Sequence, residues 1–251
     1  MAKRLVLRAD DLGYTEAVNY GMAYALRNCG LPVSVGFMMN MPWAEQGYRL
    51  IEGLDNLCLG IHTNITIGKP LCDPASVPSL VREDGTFKPS ALYRAATEDP
   101  AALEDVEREC EAQYQAFTTL VGREPDYVDI HAVESINFVR GVANVAARHV
   151  KPSSALPGPG EPLHIGKTDV WFRVSQCNAE DPLEDLRAIA EAPEDGNAHM
   201  LVFHPGYVDA QLMRTSSVNV PRTVDAETLG SPELRDFVQG HGFELITYRN
   251  L

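Results

Sequence analysis

Leu5-Val6-Leu7-Arg8-Ala9-Asp10-Asp11-Leu12-Gly13 carries a short apolar run straight into two carboxylates. So short a run does not make a helix face; it suits a buried strand. The arrangement recurs. Leu57-Cys58-Leu59-Gly60-Ile61 leads into His62, Tyr127-Val128-Asp129-Ile130 into His131, and Leu201-Val202-Phe203 into His204-Pro205-Gly206. Helical patterns lie between these runs. Residues 15–28 read as a helix with Thr15 as cap and Gly30 past its end. Residues 103–121 place Leu103, Val106, Cys110, Tyr114, Phe117 and Val121 at steps of three or four, and Gly122 stops them. Residues 141–149 and 182–192 read as further helices, and Ser231-Pro232 opens a last one. Residues 32–39, 170–174 and 243–248 supply the remaining strands.

Strands alternating with helices imply a parallel sheet covered by helices. The expected fold class is therefore α/β, a distorted (β/α) barrel with about seven strands, in one domain over residues 1–251. An open doubly wound sheet is the alternative. In a parallel barrel the strand C-termini share one face, and catalytic groups come from several of them. Asp10, Asp11, His62, His131 and His204 are thus predicted to converge. One aspartate and two imidazoles form a ligand set for a divalent ion with open positions for water. Singly, each residue has a plainer reading: Asp10-Asp11 as a turn pair, each histidine as a hydrogen-bonded side chain. The joint pattern at four strand ends carries the functional one. His149, His164, His199 and His241 lack that position and read as surface or structural.

Composition narrows the function classes. Lys and Arg number 21 against 35 Asp and Glu, a net charge of 21 − 35 = −14, with no basic patch to offset it. Such a field disfavours nucleic acid and anionic membranes as partners and suits a small molecule. No apolar run nears the length of a membrane span, and Met1-Ala2-Lys3-Arg4 does not open a signal peptide. Five cysteines, Cys29, Cys58, Cys72, Cys110 and Cys177, include no CxxC pair. They read as reduced thiols, which points to the cytoplasm. Two stretches, 66–90 and 152–168, are rich in proline and glycine and read as long loops of functional type.

The motifs together resemble a family. Ala9-Asp10-Asp11-Leu12-Gly13 with Asn19-Tyr20-Gly21 is similar to the first block of YdjC-like deacetylases, also called chitooligosaccharide deacetylases. Gly60-Ile61-His62 with Ile65-Thr66, Gly68 and Pro70 resembles the second block, and Val77-Pro78-Ser79-Leu80, Asp84-Gly85 and Phe87 continue it. Asp129-Ile130-His131 falls where the family has an Asp-Ser-His block, and His204-Pro205-Gly206-Tyr207 with Asp209 resembles its C-terminal block. Pro221-Arg222 and the ending from Gly242 to Arg249 also fit.

The resemblance implies a barrel like that of polysaccharide deacetylases and one divalent metal ion, magnesium or zinc. Position by position it implies Asp11, His62 and His131 as metal ligands, Asp10 as general base, and His204 as acid or orienting imidazole. The implied activity is hydrolysis of the acetamide of an N-acetylated, chitooligosaccharide-like sugar. Trp43, Asn137, Trp171 and Tyr207 are guesses for contacts to that sugar, and each also reads as a packing residue. A homodimer is compatible with the chain. The sequence departs from the family after His131, where a run of histidines gives way to Ala132-Val133-Glu134-Ser135. That departure leaves room for a non-catalytic sugar-binding barrel. A metal hydrolase acting on another amide or a phosphoester, and a barrel with fortuitous histidines, are further rivals. Metal content and acetate release separate them.

Overall fold

The computed structural model describes residues 2–133, 135–153, 158 and 160–251. β1 (Arg4–Leu12), α1 (Glu16–Cys29), β2 (Val33–Phe37), α2 (Ala44–Ile51) and β3 (Leu57–Thr63) form the first half-turn. A long excursion with one short helix, α3 (Ser90–Ala95), precedes α4 (Leu103–Val121), β4 (Val128–Ile130) and α5 (Ile136–Arg148). Then come β5 (Leu163–Ile165), β6 (Thr168–Val174), α6 (Glu184–Glu191), β7 (Ala198–Phe203), α7 (Ala210–Thr215), α8 (Pro221–Leu229), α9 (Pro232–Gly240) and β8 (Glu244–Ile246).

The strands form one curled sheet in the order β4-β3-β2-β1-β7-β6-β5, with β8 also paired to β1. All pairings are parallel except β5 with β6, which is antiparallel. The expected α/β distorted barrel of about seven strands is therefore present, incomplete, with β4 and β5 as its ends. A uniformly parallel sheet is corrected at β5, which turns back on β6 through the tight Gly166 turn at φ 61°. The 66–90 stretch keeps its irregular character, with a single 3-10 turn at Pro74–Ser76. Of the 152–168 stretch, residues 154–157 and 159 lie outside the described residues, as does Glu134.

Side-chain alternation sorts each strand into two faces. Leu5, Leu7 and Ala9 of β1, with Leu57, Leu59 and Ile61 of β3, face the helices and join the larger core. Val6, Cys58, Tyr127, Met200 and Val202 face inward with Ile246 and Tyr248. Tyr127 and Tyr248 stack 3.8 Å apart within that inner core. Continuing the inward positions by steps of two gives Val6–Arg8–Asp10, Cys58–Gly60–His62, Tyr127–Asp129–His131 and Met200–Val202–His204. The apolar members pack together in the inner core, while Arg8, Asp10, His62, Asp129, His131 and His204 line a cavity.

Glycines set the close approaches. A Cβ on Gly36 would fall 2.5 Å from Asp10 Oδ1 and 3.2 Å from His62 Cβ, so β2 must present no side chain between these two groups. A Cβ on Gly60 would sit 2.3 Å from the Tyr127 ring.

Candidate metal centre and active site

The cavity at this end has a volume of about 630 Å³, within the range of small-molecule sites. Asp10 reaches it by ordinary alternation; Asp11 should then face the helices. It does not, because the register of β1 on β2 slips between Ala9 and Leu12 and Asp11 adopts φ 79°. The bulge brings two consecutive carboxylates into one cavity. A non-glycine residue at such φ costs of order 1–3 kcal/mol and persists where the surroundings over-determine it. Ala132, directly after His131, has φ 66°. Both carboxylates lie within β1 and His62 within β3, rather than just after the strands.

Asp11, His62 and His131 each offer an atom, all within 4.8 Å of one another, and could hold a metal ion. His131 Nδ1 lies 3.0 Å and His62 Nε2 3.5 Å from Asp11 Oδ1. Even so, Asp11 Oδ1 is buried and accepts no hydrogen bond. Ligand atoms facing a common point without bonding one another fit a cation between them. The other faces of these ligands are occupied. His62 Nδ1 is 2.8 Å from Asp129 Oδ1, so the ring donates there and leaves Nε2 turned inward. Asp11 Oδ2 accepts from Arg222 Nη2 at 2.6 Å.

Arg8 is the hub of the second layer. Its Nε donates to Asp10 Oδ1 at 2.7 Å and its Nη1 to Tyr248 Oη at 2.9 Å. Nη2 lies 2.7 Å from Asp10 Oδ2 and 2.6 Å from Asp129 Oδ2. Burial disfavours the Arg8 charge, but Asp10 and Asp129 outweigh it and raise its pKa further. Burial likewise works against the Asp10 carboxylate, and Arg8 and then His62 bring it below its ordinary value. For Asp11, Arg222 and His131 overcome burial and hold it well below the usual range. Burial opposes a charge on His62, and Asp10 and Asp129 reverse this and raise its pKa. At His204 burial wins and lowers the pKa, so the ring rests neutral at pH 7.

The cluster is electrically unfinished. Buried Asp10, Asp11, Asp129 and Asp225 set four carboxylates against buried Arg8 and Arg222, and the carboxylates draw His62 towards its charged form. Uncompensated buried charge is costly. A divalent cation at Asp11–His62–His131 compensates it, so the residues present fit the ion that the sequence implies.

His204 directly follows β7, the strand paired with β1, with Phe203 against Ala9. Its backbone N–H donates to Asp225 Oδ2 at 2.6 Å, and Ser175 Oγ donates to Asp225 Oδ1 at 2.6 Å. Arg222 and Asp225 stand three apart on α8, so one helical turn braces both Asp11 and His204.

Asp10, Asp11, His62, His131 and His204 all line the same cavity. Trp43, Asn137, Trp171 and Tyr207 are not among the described residues that line it. Trp43 Nε1 donates to Gln211 at 3.2 Å, and Asn137 Nδ2 donates to the Ala101 carbonyl at 2.8 Å. Trp171 donates to Asp195 at 2.5 Å in a separate outer groove. Tyr207 is 37% exposed beside Tyr24. Sequence reasoning gave no role to Arg8, Asp129, Arg222 or Asp225. Arg8 carried a usable signal, since it lies two residues before Asp10 on one strand face. Asp129 did not, because its pairing with His62 depends on the β3–β4 register.

Comparison with known proteins agrees with the fold. A family described as YdjC-like protein matches residues 4–240. A carbohydrate deacetylase of Geobacillus stearothermophilus is 34% identical over 252 residues, covering 99% of this chain and 98% of its own. A crystal structure from Enterococcus faecalis V583, of a candidate cellobiose-phosphate cleavage protein, superposes with a TM-score of 0.80 at 22% identity over 100% of this chain and 99% of that one. A family 4 carbohydrate esterase from Streptomyces lividans, solved with acetate, shares the fold at a TM-score of 0.52 and 13% identity, over 98% of this chain and 93% of its own.

Proposed function

We propose that this chain, which belongs to the YdjC-like protein family, is a metal-dependent carbohydrate deacetylase that releases acetate from an N-acetylated, chitooligosaccharide-like sugar. The observation that carries the reading is Asp11 Oδ1, buried, without a hydrogen bond, and facing two imidazoles inside a cavity that also holds a second carboxylate. Relatives named carbohydrate deacetylase and chitooligosaccharide deacetylase support the reading.

Asp11, His62 and His131 would hold the ion. A zinc or magnesium ion there supplies a Lewis acid that acidifies water and polarises the acetyl carbonyl. Asp10 is the general base. Its Oδ2 lies 3.8 Å from His62 Nε2, close to the ligand cluster but outside it. The Arg8 fork fixes its carboxylate and keeps it ionised, ready to take a proton from the attacking water. Asp129 holds the His62 tautomer. His204, neutral at rest after the strand beside β1, orients the leaving amine, which departs with the proton that Asp10 takes from the water.

Beyond the cluster the cavity is lined by apolar and hydroxyl-bearing groups, Ile67, Phe87, Thr86 and Ser216, which suit a sugar ring, and by Arg82, Arg94 and Arg214, which can donate to its oxygens. Unpaired cysteines among the described residues agree with a cytoplasmic setting. The test is acetate release from a panel of N-acetylglucosamine oligosaccharides after reloading with zinc or magnesium. Turnover that chelation abolishes and metal restores supports the reading. A fully loaded protein that releases no acetate contradicts it.

A further inference from the structure

One wall of the cavity is built from residues 66–68, directly downstream of β3, and is gripped from inside the protein by polar side chains. Asn64, Glu109 and Gln113 are each 0% exposed. Asn64 Oδ1 accepts from the backbone N–H of Thr66 at 2.9 Å and of Ile67 at 3.2 Å. Its Nδ2 donates to the Ile67 carbonyl at 2.8 Å and to Asn40 Oδ1 at 2.9 Å. Gln113 on α4 brackets the Asn64 backbone, accepting from its N–H at 3.1 Å and donating to its carbonyl at 2.7 Å. Gln113 Nε2 also donates to Glu109 Oε1 at 2.9 Å, one helical turn earlier. The two Glu109 oxygens accept from the backbone N–H groups of Leu71 and Cys72, each at 3.0 Å.

Two side chains of one helix thus hold both ends of the 64–72 segment. Burial pushes the Glu109 pKa up, and its bonds to Leu71, Cys72 and Gln113 offset this only in part. A buried carboxylate held by neutral donors is an expensive way to pack a loop. What the loop carries explains it. Thr66, Ile67 and Gly68 line the cavity, and the Gly68 carbonyl accepts from Phe87 N–H at 2.9 Å, so Phe87, another lining residue, is set by the same segment. Gly68 takes φ 77° to make that turn.

We propose that Glu109 and Gln113 are positioning residues for substrate: acting through Asn64, they fix the 66–68 wall and Phe87 at the distance from the metal cluster at which the sugar ring seats. The proposal rests on the deacetylase reading. It assigns them to KM, and not to metal affinity or to the chemical step.

Glu109→Gln tests it. The new amide turns an NH₂ group towards a backbone N–H and releases one grip on Leu71 or Cys72. Three readouts are taken on the zinc-loaded protein: kcat and KM for acetate release from N-acetylglucosamine oligosaccharides, zinc affinity by chelator competition, and hydrogen exchange over residues 66–72. KM is expected to rise by about tenfold with kcat within about twofold. Zinc affinity stays at the wild-type value, exchange at Leu71 and Cys72 quickens, and Gln113→Glu shifts KM in the same direction. An unchanged KM with faster exchange overturns the proposal, and so does a loss of zinc affinity that parallels the loss of turnover. Should Glu109→Gln not fold, Asn40→Ala removes the bonds of Asn40 to Asn64 and to the Ile67 and Lys69 carbonyls while leaving α4 intact; KM rising by about threefold supports the proposal and an unchanged KM overturns it. Wild-type protein silent on every sugar in the panel overturns the deacetylase reading itself, a result distinct from an active wild type whose variants keep their KM.

Discussion

The two ends of the sheet each hold a charged network, and they are built to opposite specifications. At the N-terminal end of β3, Asp126 Oδ2 accepts from Leu59 N–H at 2.9 Å and lies 2.7 Å from Arg249 and 3.3 Å from Arg123. Solvent reaches both guanidiniums, and the carboxylate has more cations than it needs. At the other end, Arg8, Asp10, Asp11, Asp129, Arg222 and Asp225 are all buried, with more carboxylates than guanidiniums. Asp11 Oδ1 and Arg222 Nη1 of this cluster are buried and lack a hydrogen bond among the described residues. A structural network closes on itself. A functional one leaves atoms for something else to complete, and the surrounding fold absorbs the cost.

That contrast can be broken residue by residue. The largest effect is expected at Asp10. Asp10→Asn keeps the ligand set and removes the base, so acetate release falls by roughly 10²–10⁴-fold while bound metal, measured by elemental analysis, stays at the wild-type level. Unchanged turnover removes Asp10 from the reaction. Asp129→Asn comes next. It deprives His62 Nδ1 of its ionic acceptor and Arg8 of one of two carboxylates, so metal affinity in a chelator competition drops by about 10–100-fold. Wild-type affinity in that variant shows that His62 needs no orienting partner.

Gly36→Ala is expected to act on both folding and chemistry. Its Cβ meets Asp10 Oδ1 at 2.5 Å and has no vacant side to move to, so it destabilises the protein by about 1–3 kcal/mol in denaturant unfolding and displaces the base. Undiminished activity there places Asp10 elsewhere. The smallest effect belongs to the closed network. Asp126→Asn costs up to about 1 kcal/mol and leaves turnover alone. Burial works against the Asp126 charge, and Arg249 and Arg123 outweigh it, so the folded pKa lies below the unfolded one. Its stabilisation is therefore complete above the unfolded value and disappears as pH falls through the folded value. The melting-temperature gap between Asp126→Asn and wild type should narrow in acid; a gap that widens in acid refutes the assignment.

Much of this fold was legible because it is local. The apolar spacing in residues 103–121 returned α4 with the same bounds, and Thr15 and Gly30 sit at the α1 caps, Thr15 accepting from Val18 N–H. α2, α7 and α8 were not legible: they are short, and α8 buries Arg222 and Asp225 where a periodic pattern would show apolar residues. β5 was hidden because three residues in an antiparallel return leave no period to read. In the site, strand-end position alone marked Asp10, Asp11, His62, His131 and His204 for convergence. It could not show the bulge at Asp11, which depends on pairing with β2, nor the partners of Arg8, which reach it from β4 and the chain end. The sugar-contact guesses rested on residue type. The cavity wall at residues 66–68 is held by Asn64, Gln113 and Glu109, whose bonds join residues up to 49 positions apart.

The account turns on one ion. Crystals soaked in zinc and measured by anomalous diffraction at the zinc edge test it most directly. The predicted result is a single strong peak bonded at once to Asp11 Oδ1, His62 Nε2 and the His131 imidazole, with Asp10 beside it and unligated. A peak away from those three side chains, or none at saturating zinc, contradicts the account.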